Sequence, residues 1–273
     1  MAKKRKHVLT EERRRLILHE LRERGVVRTG ELARRFAVSA MTIRSDLAAL
    51  EGRGGLVRVH GGAMPQERVA REPSYYEKAT QNLDEKRRIG RRAVELIEDG
   101  MALFIGNGTT TIEIVRALVD RPPAGIKVFT NALTHATELS RLPGVEVYVI
   151  GGHLRGVSFA MVGPLARQAL EGVYFDLAFL GANGVSIERG ITIPSLEEAE
   201  TAAEIVAHAR QVVVVADHTK FGAAAHGRVV GIDALDVVIT DRDPAPELAR
   251  TLAQFGVEVV VAGEGGDRRT EDC

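Results

Sequence analysis

The chain has 273 residues, 45% apolar and 27% charged, which is enough to fill a core and, at roughly 150 residues per domain, gives room for two domains and excludes a disordered or fibrous protein. Its longest purely apolar stretch, Val212 to Ala216, is far below the roughly 18 residues that cross a bilayer, and Lys3 to Lys6 lead into charged sequence, so a cytoplasmic protein without a membrane partner is expected. One cysteine, Cys273, excludes an internal disulfide and a thiolate zinc site, and the net charge of zero conceals a division: residues 1–63 carry 15 Lys/Arg against 7 Asp/Glu, the other 210 carry 22 against 30.

After a basic arm expected to be disordered, Thr10 is placed to cap a helix through Arg24, with Glu11 and Glu12 in its first turn and Leu16, Ile17 and Leu21 on one face. Gly25 ends it. Thr29 is expected to cap a second, short helix carrying Leu32, Ala33 and Phe36, and Ser39 a third whose Ile43, Leu47 and Leu50 fall on one face. The period changes after Gly54 and Gly55: Leu56, Val57 and Val59 form an extended run that stops at Gly61 and Gly62, which reads as a small hairpin or wing.

Burying Ile43, Leu47 and Leu50 leaves Met41, Thr42, Arg44, Ser45 and Ala48 outward, an edge with the small and donor-bearing side chains that suit a DNA major groove. Arg53, Arg58 and His60 stand where a helix end and a wing touch backbone phosphate. Residues 64–80 turn polar, contain Pro65 and Pro73 and lack an apolar period, so they are read as an interdomain linker.

Beyond the linker, helical patterns alternate with Val/Ile-rich runs at 101–105, 127–129, 145–150, 177–180, 212–216, 237–240 and 257–261. This predicts an α/β domain around a mostly parallel sheet, because strands buried on both faces read as continuous apolar runs. The run 101–105 leads into Gly106-Asn107-Gly108-Thr109-Thr110-Thr111 and a helix, where free N–H groups and hydroxyls favour an anion. A dinucleotide fingerprint needs glycine where Thr111 stands, and the Gly-Lys-Ser/Thr of a P-loop is absent. Thr130, Asn131, Gly151, Gly152, Asp176, Gly181, Asp217 and Lys220 are expected near the strand ends, the edge on which open α/β sheets bind ligands. His218 and His226 around Lys220 suggest a loop rather than a metal pair, and His153 stands either in the pocket or in solvent.

Arg13-x3-Ile17-x3-Leu21, Ser39-x2-Thr42-Ile43-Arg44-Ser45-Asp46-Leu47 and Arg58-Val59-His60-Gly61-Gly62-Ala63 together resemble the winged helix-turn-helix of the DeoR family of bacterial transcriptional regulators. The resemblance extends through Glu85-Lys86-x2-Ile89 before a helix, Thr130-Asn131-Ala132, Asp176-x2-Phe179-Leu180-Gly181-Ala182, Glu198-Ala199, Asp217-x2-Lys220-Phe221-Gly222 and Ile239-Thr240-Asp241, covering residues 8–262. Ser45 stands where the family often has a second basic residue, Thr219 where it usually has serine, and no basic residue follows closely after Glu198.

The resemblance implies a winged helix over 8–63, a linker over 64–80, and over 81–262 an α/β effector domain similar to ribose-5-phosphate isomerase that binds phosphorylated sugars or related metabolites. It places a phosphate on Gly108, Thr109 and Thr110 beside Lys220, with Asp176 and Glu198 facing sugar hydroxyls. It implies no cofactor and a homo-oligomer that binds double-stranded operator DNA as a repressor. The alternatives are an isomerase-type enzyme with an accessory DNA-binding module, although the glycine-rich catalytic loop and glutamate of active isomerases are not found, and an activator whose second domain only oligomerises.

Overall fold

The computed structural model describes residues 10–24, 26–52, 56–59, 61–64, 72–120 and 122–263 and divides the chain into two compact units, 1–71 and 72–273. In the first, helices α1 (Thr10–Arg24), α2 (Thr29–Phe36) and α3 (Ala40–Gly52) accompany strands β1 (Val27–Arg28), β2 (Val57–Val59) and β3 (Gly62–Met64). The strands form an antiparallel sheet in the order β1-β3-β2. Ile17, Leu21, Leu32, Ile43, Leu47 and Leu50 share one buried cluster with Val27, Leu56 and Ala63. Each large apolar side chain so buried contributes roughly 1.5–3 kcal/mol relative to exposure, which is what holds three short helices together.

Two of the expected caps are displaced. Thr10 and Thr29 are first residues of their helices rather than caps; Arg28 precedes α2 without a side-chain cap, and Thr29 is itself buried. Ser39 does cap α3, its hydroxyl accepting from Thr42 N–H at 3.1 Å. The turn between α2 and α3 is made by Ala37 in the left-handed region, φ 53°, with its N–H and that of Val38 bonding back to the last carbonyls of α2. Gly25 lies outside the described residues.

The second unit begins with α4 (Tyr75–Ala79) and α5 (Leu83–Val94). There follow β4 (Ala102–Ile105), α6 (Thr111–Asp120), β5 (Lys127–Thr130), α7 (Leu133–Leu139), β6 (Glu146–Val149), β7 (His153–Arg155), β8 (Ala160–Val162), α8 (Pro164–Gln168) and β9 (Phe175–Gly181). The unit closes with β10 (Gly184–Ser186), β11 (Gly190–Ile193), α9 (Leu196–Ala207), β12 (Ala209–Val215), β13 (Gly227–Val230), β14 (Val237–Thr240), α10 (Pro246–Gln254) and β15 (Glu258–Val261).

The seven apolar runs of the sequence fall in one seven-stranded sheet, ordered β15-β14-β12-β9-β4-β5-β6, with every pairing parallel. Successive strand residues enter opposite cores. Leu103, Ile105, Phe179, Val213 and Ile239 pack with α5 and α6 residues such as Ile89 and Val115. Phe104, Ala178, Leu180, Val214 and Val238 pack on the other side with Ile205 of α9 and Leu252 of α10. The sheet is therefore covered on both faces, the physical cause of its unbroken apolar runs. From β4 the chain moves outward through β5 to β6, then returns to the other side of β4 as β9. That reversal opens a crevice at the carboxyl ends of β4 and β9.

Residues 72–80, read from sequence as linker, carry α4, closed by a reciprocal box in which Ser74 accepts from Glu77 N–H and Glu77 accepts from Ser74 N–H.

Candidate functional site

In the first unit, Met41, Arg44, Ser45 and Ala48 are exposed on α3 while Ile43, Leu47 and Leu50 are buried, as their spacing requires. Thr42 is half-buried and its hydroxyl bonds that of Ser39 at 2.9 Å, so Ser39 and Thr42 hold the helix start as well as bordering the face. Arg58 on β2 donates from Nε to Glu51 at 2.7 Å and from its backbone N–H to the same carboxylate at 2.9 Å. These bonds, the backbone one foremost, hold the Glu51 carboxyl below its ordinary range. Arg53 and His60 lie outside the described residues. Sequence reasoning passed over Arg28, exposed on β1 beside the hairpin.

In the second unit the crevice is lined by Gly106, Asn107, Gly108, Thr109 and Thr110 from the turn after β4, by Gly181, Ala182 and Asn183 from the end of β9, and by Lys86, Glu198 and Lys220. The turn needs its glycines: Gly108 has φ +153°, and a Cβ on Gly106 would stand 3.2 Å from the Phe179 carbonyl. The first N–H groups of a helix lack intrahelical acceptors, so the start of α6 together with the Thr109 and Thr110 hydroxyls forms a donor-rich concavity.

Glu198 owes its position to Ser195, which caps α9 by accepting from Glu198 N–H at 3.3 Å. A glutamate at that position ordinarily bonds back to the cap, whereas here the buried carboxylate accepts from Arg155, from the Ser158 hydroxyl and, at 3.3 Å, from Asn107 Nδ2. Arg155 also donates to Glu72 at 2.8 Å. Lys220 stands 3.7 Å from Asp217, whose side chain is fully buried and accepts from Asn82 Nδ2 at 3.0 Å and from Thr219. Burial would raise the Asp217 carboxyl; the Thr219 hydroxyl and the Lys220 charge hold it below its ordinary value.

Lys86, on α5, is 2% exposed and donates to the Lys78 carbonyl at 2.6 Å. Burial brings its ammonium from 10.5 down to about 8 despite the nearby Asp217. A base whose pKa is lower folded than unfolded releases protons on folding, so its contribution to stability rises as pH climbs from about 8 to 10.5. Lys86→Met is expected to flatten that rise, measured as the difference in urea unfolding free energy between pH 8 and pH 10 for both proteins. An unchanged slope would place the ammonium in water.

Of the residues expected at the ligand edge, Gly108, Thr109, Thr110, Gly181, Glu198 and Lys220 line one crevice. Thr130 and Asn131 are buried supports: Thr130 donates to the Ile105 carbonyl at 2.7 Å and Asn131 Oδ1 accepts from Asn107 N–H at 3.1 Å. Three expectations are corrected. Asp176 is the second residue of β9, at the opposite end of the strand, where it accepts from Ala102 N–H at 2.9 Å and so ties β4 to β9. Gly151 and Gly152 are exposed on the connection from β6 to β7 and do not line the crevice; Gly152 has φ +134°, and a Cβ there would meet the Val162 carbonyl at 2.6 Å. Glu85-Lys86-x2-Ile89, expected before a helix, lies inside α5.

His153 is exposed, 3.7 Å from Glu197, and His218 pairs through Nδ1 with Asp241 at 2.7 Å. Sequence reasoning missed Tyr75, Lys78 and Gln81 in the crevice wall; the box Ser74-x-x-Glu77 was the signal that could have found their helix.

A winged helix with an exposed third-helix face, joined in one chain to an α/β unit with a donor-rich crevice, is the arrangement of a DNA-binding regulator. Residues 13–69 match the DeoR-like helix-turn-helix domain and 81–242 the DeoR C terminal sensor domain. The chain is 35% identical over 257 residues to the putative aga operon transcriptional repressor of Escherichia coli O157:H7, covering 93% of this chain and 95% of that one. It is 30% identical to the glycerol-3-phosphate regulon repressor of Escherichia coli K12, covering 89% and 95%. Among solved structures it is similar to ribose 5-phosphate isomerase A from Neisseria gonorrhoeae at 16% identity and a TM-score of 0.39, over 50% of this chain and 53% of that one. The chain belongs to the DeoR family of DNA-binding transcriptional regulators, and on that ground the enzyme alternative is set aside. Among the described residues no helix is long and apolar enough to cross a membrane.

Proposed function

We propose that this regulator is a cytoplasmic homo-oligomer of two or four chains that represses carbohydrate-metabolism genes and is released from operator DNA by a phosphorylated sugar or related metabolite. The observation that carries the reading is the convergence of the turn Gly108–Thr110, Lys86, Lys220 and Glu198 in the crevice between β4 and β9. Amides, hydroxyls and ammonium groups suit a phosphate, and a carboxylate across the crevice suits a ligand hydroxyl. The relative named for a glycerol-3-phosphate regulon supports a phosphorylated ligand. Residues 8–63 serve as the DNA module. Met41, Thr42, Arg44 and Ser45 enter the major groove from a helix that Ser39 caps, and Arg53, Arg58 and His60 approach the backbone. Residues 81–262, extended by α4, serve as the sensor.

The test is selection of genomic fragments by the full chain, followed by operator affinity and thermal shift against a panel of phosphosugars. A ligand of the folded state raises the melting temperature. Operator affinity is expected to fall with salt at a log-log slope of about −5 for roughly six neutralised phosphates. Arg44→Ala is expected to cost about 1–3 kcal/mol on operator and little on random DNA if it reads a base. Equal loss on both would make Arg44 a phosphate contact. No fragment enriched, or no phosphosugar raising the melting temperature, would overturn the reading.

A further inference from the structure

Behind the anion turn lies a histidine that the preceding function does not use. His135, on α7, is fully buried, with Nε2 3.0 Å from Thr111 Oγ1 and Nδ1 3.1 Å from Thr134 Oγ1. Thr111 Oγ1 is in turn 3.1 Å from the Gly108 carbonyl. Burial, and then the charge of Arg116, push the imidazole down to about 3, so it is neutral in water near pH 7.

A neutral imidazole has one proton, and each hydroxyl has one to give. The Gly108 carbonyl only accepts, so the Thr111 proton belongs to it. Nε2 must then donate to Thr111, leaving Nδ1 to accept from Thr134. This arrangement satisfies every contact; the opposite tautomer leaves Thr111 Oγ1 facing the Gly108 oxygen with no proton between them. We propose that His135 is a positioning residue of the anion turn, acting through Thr111 to hold the Gly108 carbonyl toward the protein interior. In a trans peptide the carbonyl and the following N–H point in opposite directions, so fixing Gly108 C=O aims Thr109 N–H into the crevice. The Ile112 N–H, 3.3 Å from the same carbonyl, supports it from the helix side.

The inference rests on the reading of the crevice as a phosphate site, and two measurements keep them separable. In full-length protein labelled with 15N-histidine, the resonance absent from His135→Gln is expected to be the neutral Nε2–H tautomer from pH 5 to pH 8. An Nδ1–H tautomer or an imidazolium would overturn the relay whatever the crevice binds. Inorganic phosphate is the second probe, titrated by calorimetry. Glutamine carries an N–H donor near the reach of Nε2, asparagine only near that of Nδ1. His135→Asn and Thr111→Val are each expected to weaken phosphate by roughly five- to tenfold, one hydrogen bond's worth, while His135→Gln stays within about twofold of wild type. The double variant His135→Asn with Thr111→Val is expected to be no weaker than either alone. Phosphate affinity unchanged in His135→Asn would overturn the positioning role. A wild-type protein that ignores phosphate would overturn the site reading instead.

Discussion

Asp46→Ala is expected to unfold the amino-terminal unit while leaving the α/β unit folded. Asp46 lies on the buried side of α3, 2% exposed, with Oδ2 2.6 Å from Arg13 Nε and Oδ1 2.9 Å from Arg14 Nε. Arg13 is nearly as buried, and both arginines stand on α1, so one carboxylate joins the first helix to the third across the core. Removing one member of a buried ion pair costs about 3–5 kcal/mol, because charge remains where water cannot reach it. A unit of this size draws roughly 3–5 kcal/mol from its core, so the loss matches its whole stability. The measurement is hydrogen exchange of the full chain: amides of Ile17 and Leu47 should lose protection, and those of Val213 and Ile239 in the central sheet should keep it. Operator binding should disappear with the first set. Asp46→Asn retains a hydrogen-bonding group and is expected to lose less. Retained protection at Leu47 in Asp46→Ala would show that the two helices are joined by apolar packing alone.

The same carboxylate illustrates where sequence and structure part. Periodicity read Ile43, Leu47 and Leu50 as the buried stripe of α3, and it was right because apolar burial is a property of one helix face. Asp46 lies in that stripe, but its partners are about 32 residues away on α1, and no local pattern announces a pairing at that range. The sheet was legible for the opposite reason: a parallel strand covered on both faces is an unbroken apolar run, and all seven such runs became strands. The hairpin β7-β8 and the small sheet β10-β11-β13 were not seen, since their strands have three or four residues and no room to establish a period.

At the crevice, position relative to strand ends was the guide, and it held after β4, β9 and β12 but not after β6, where Gly151 and Gly152 stay outside the crevice. Gly108 to Thr110 follow β4, Gly181 closes β9 and Lys220 follows β12, and all line one cavity. Asp176 was misplaced because it precedes the apolar run 177–180: a residue before a strand stands at its entry, the sheet edge opposite the carboxyl ends that form the crevice. Arg155 and Lys86 escaped because their neighbours in the fold are remote in sequence: Arg155 meets Glu72 and Glu198, and Lys86 reaches the carbonyl of Lys78 one helix earlier. A charged side chain that ends buried in such a network looks, in the sequence, like any solvated one.

Thr109→Ala and Lys220→Ala are expected to bind operator as wild type does and to fail to release it. A ligand in the crevice lowers operator affinity only if it binds the DNA-free state more tightly than the DNA-bound one, and a coupling of about 1–3 kcal/mol changes affinity roughly 5- to 150-fold. Both residues line the crevice, and neither belongs to the unit that carries α3. Thr109→Ala removes one hydroxyl donor, worth about 1.5–3 kcal/mol against a charged phosphate, so the ligand concentration for half-release should rise roughly 10- to 150-fold. Lys220→Ala removes a cation and also leaves the buried Asp217 without its ammonium at 3.7 Å, so its thermal stability must be measured beside its affinity. Thr109→Ala carries no such burden and decides the matter. Operator affinity is measured with and without the phosphosugar that gives the largest thermal shift, for wild type and both variants. Release of Thr109→Ala at the wild-type ligand concentration would move the phosphate away from the turn after β4, and a ligand that tightens wild-type binding would make the metabolite a co-repressor.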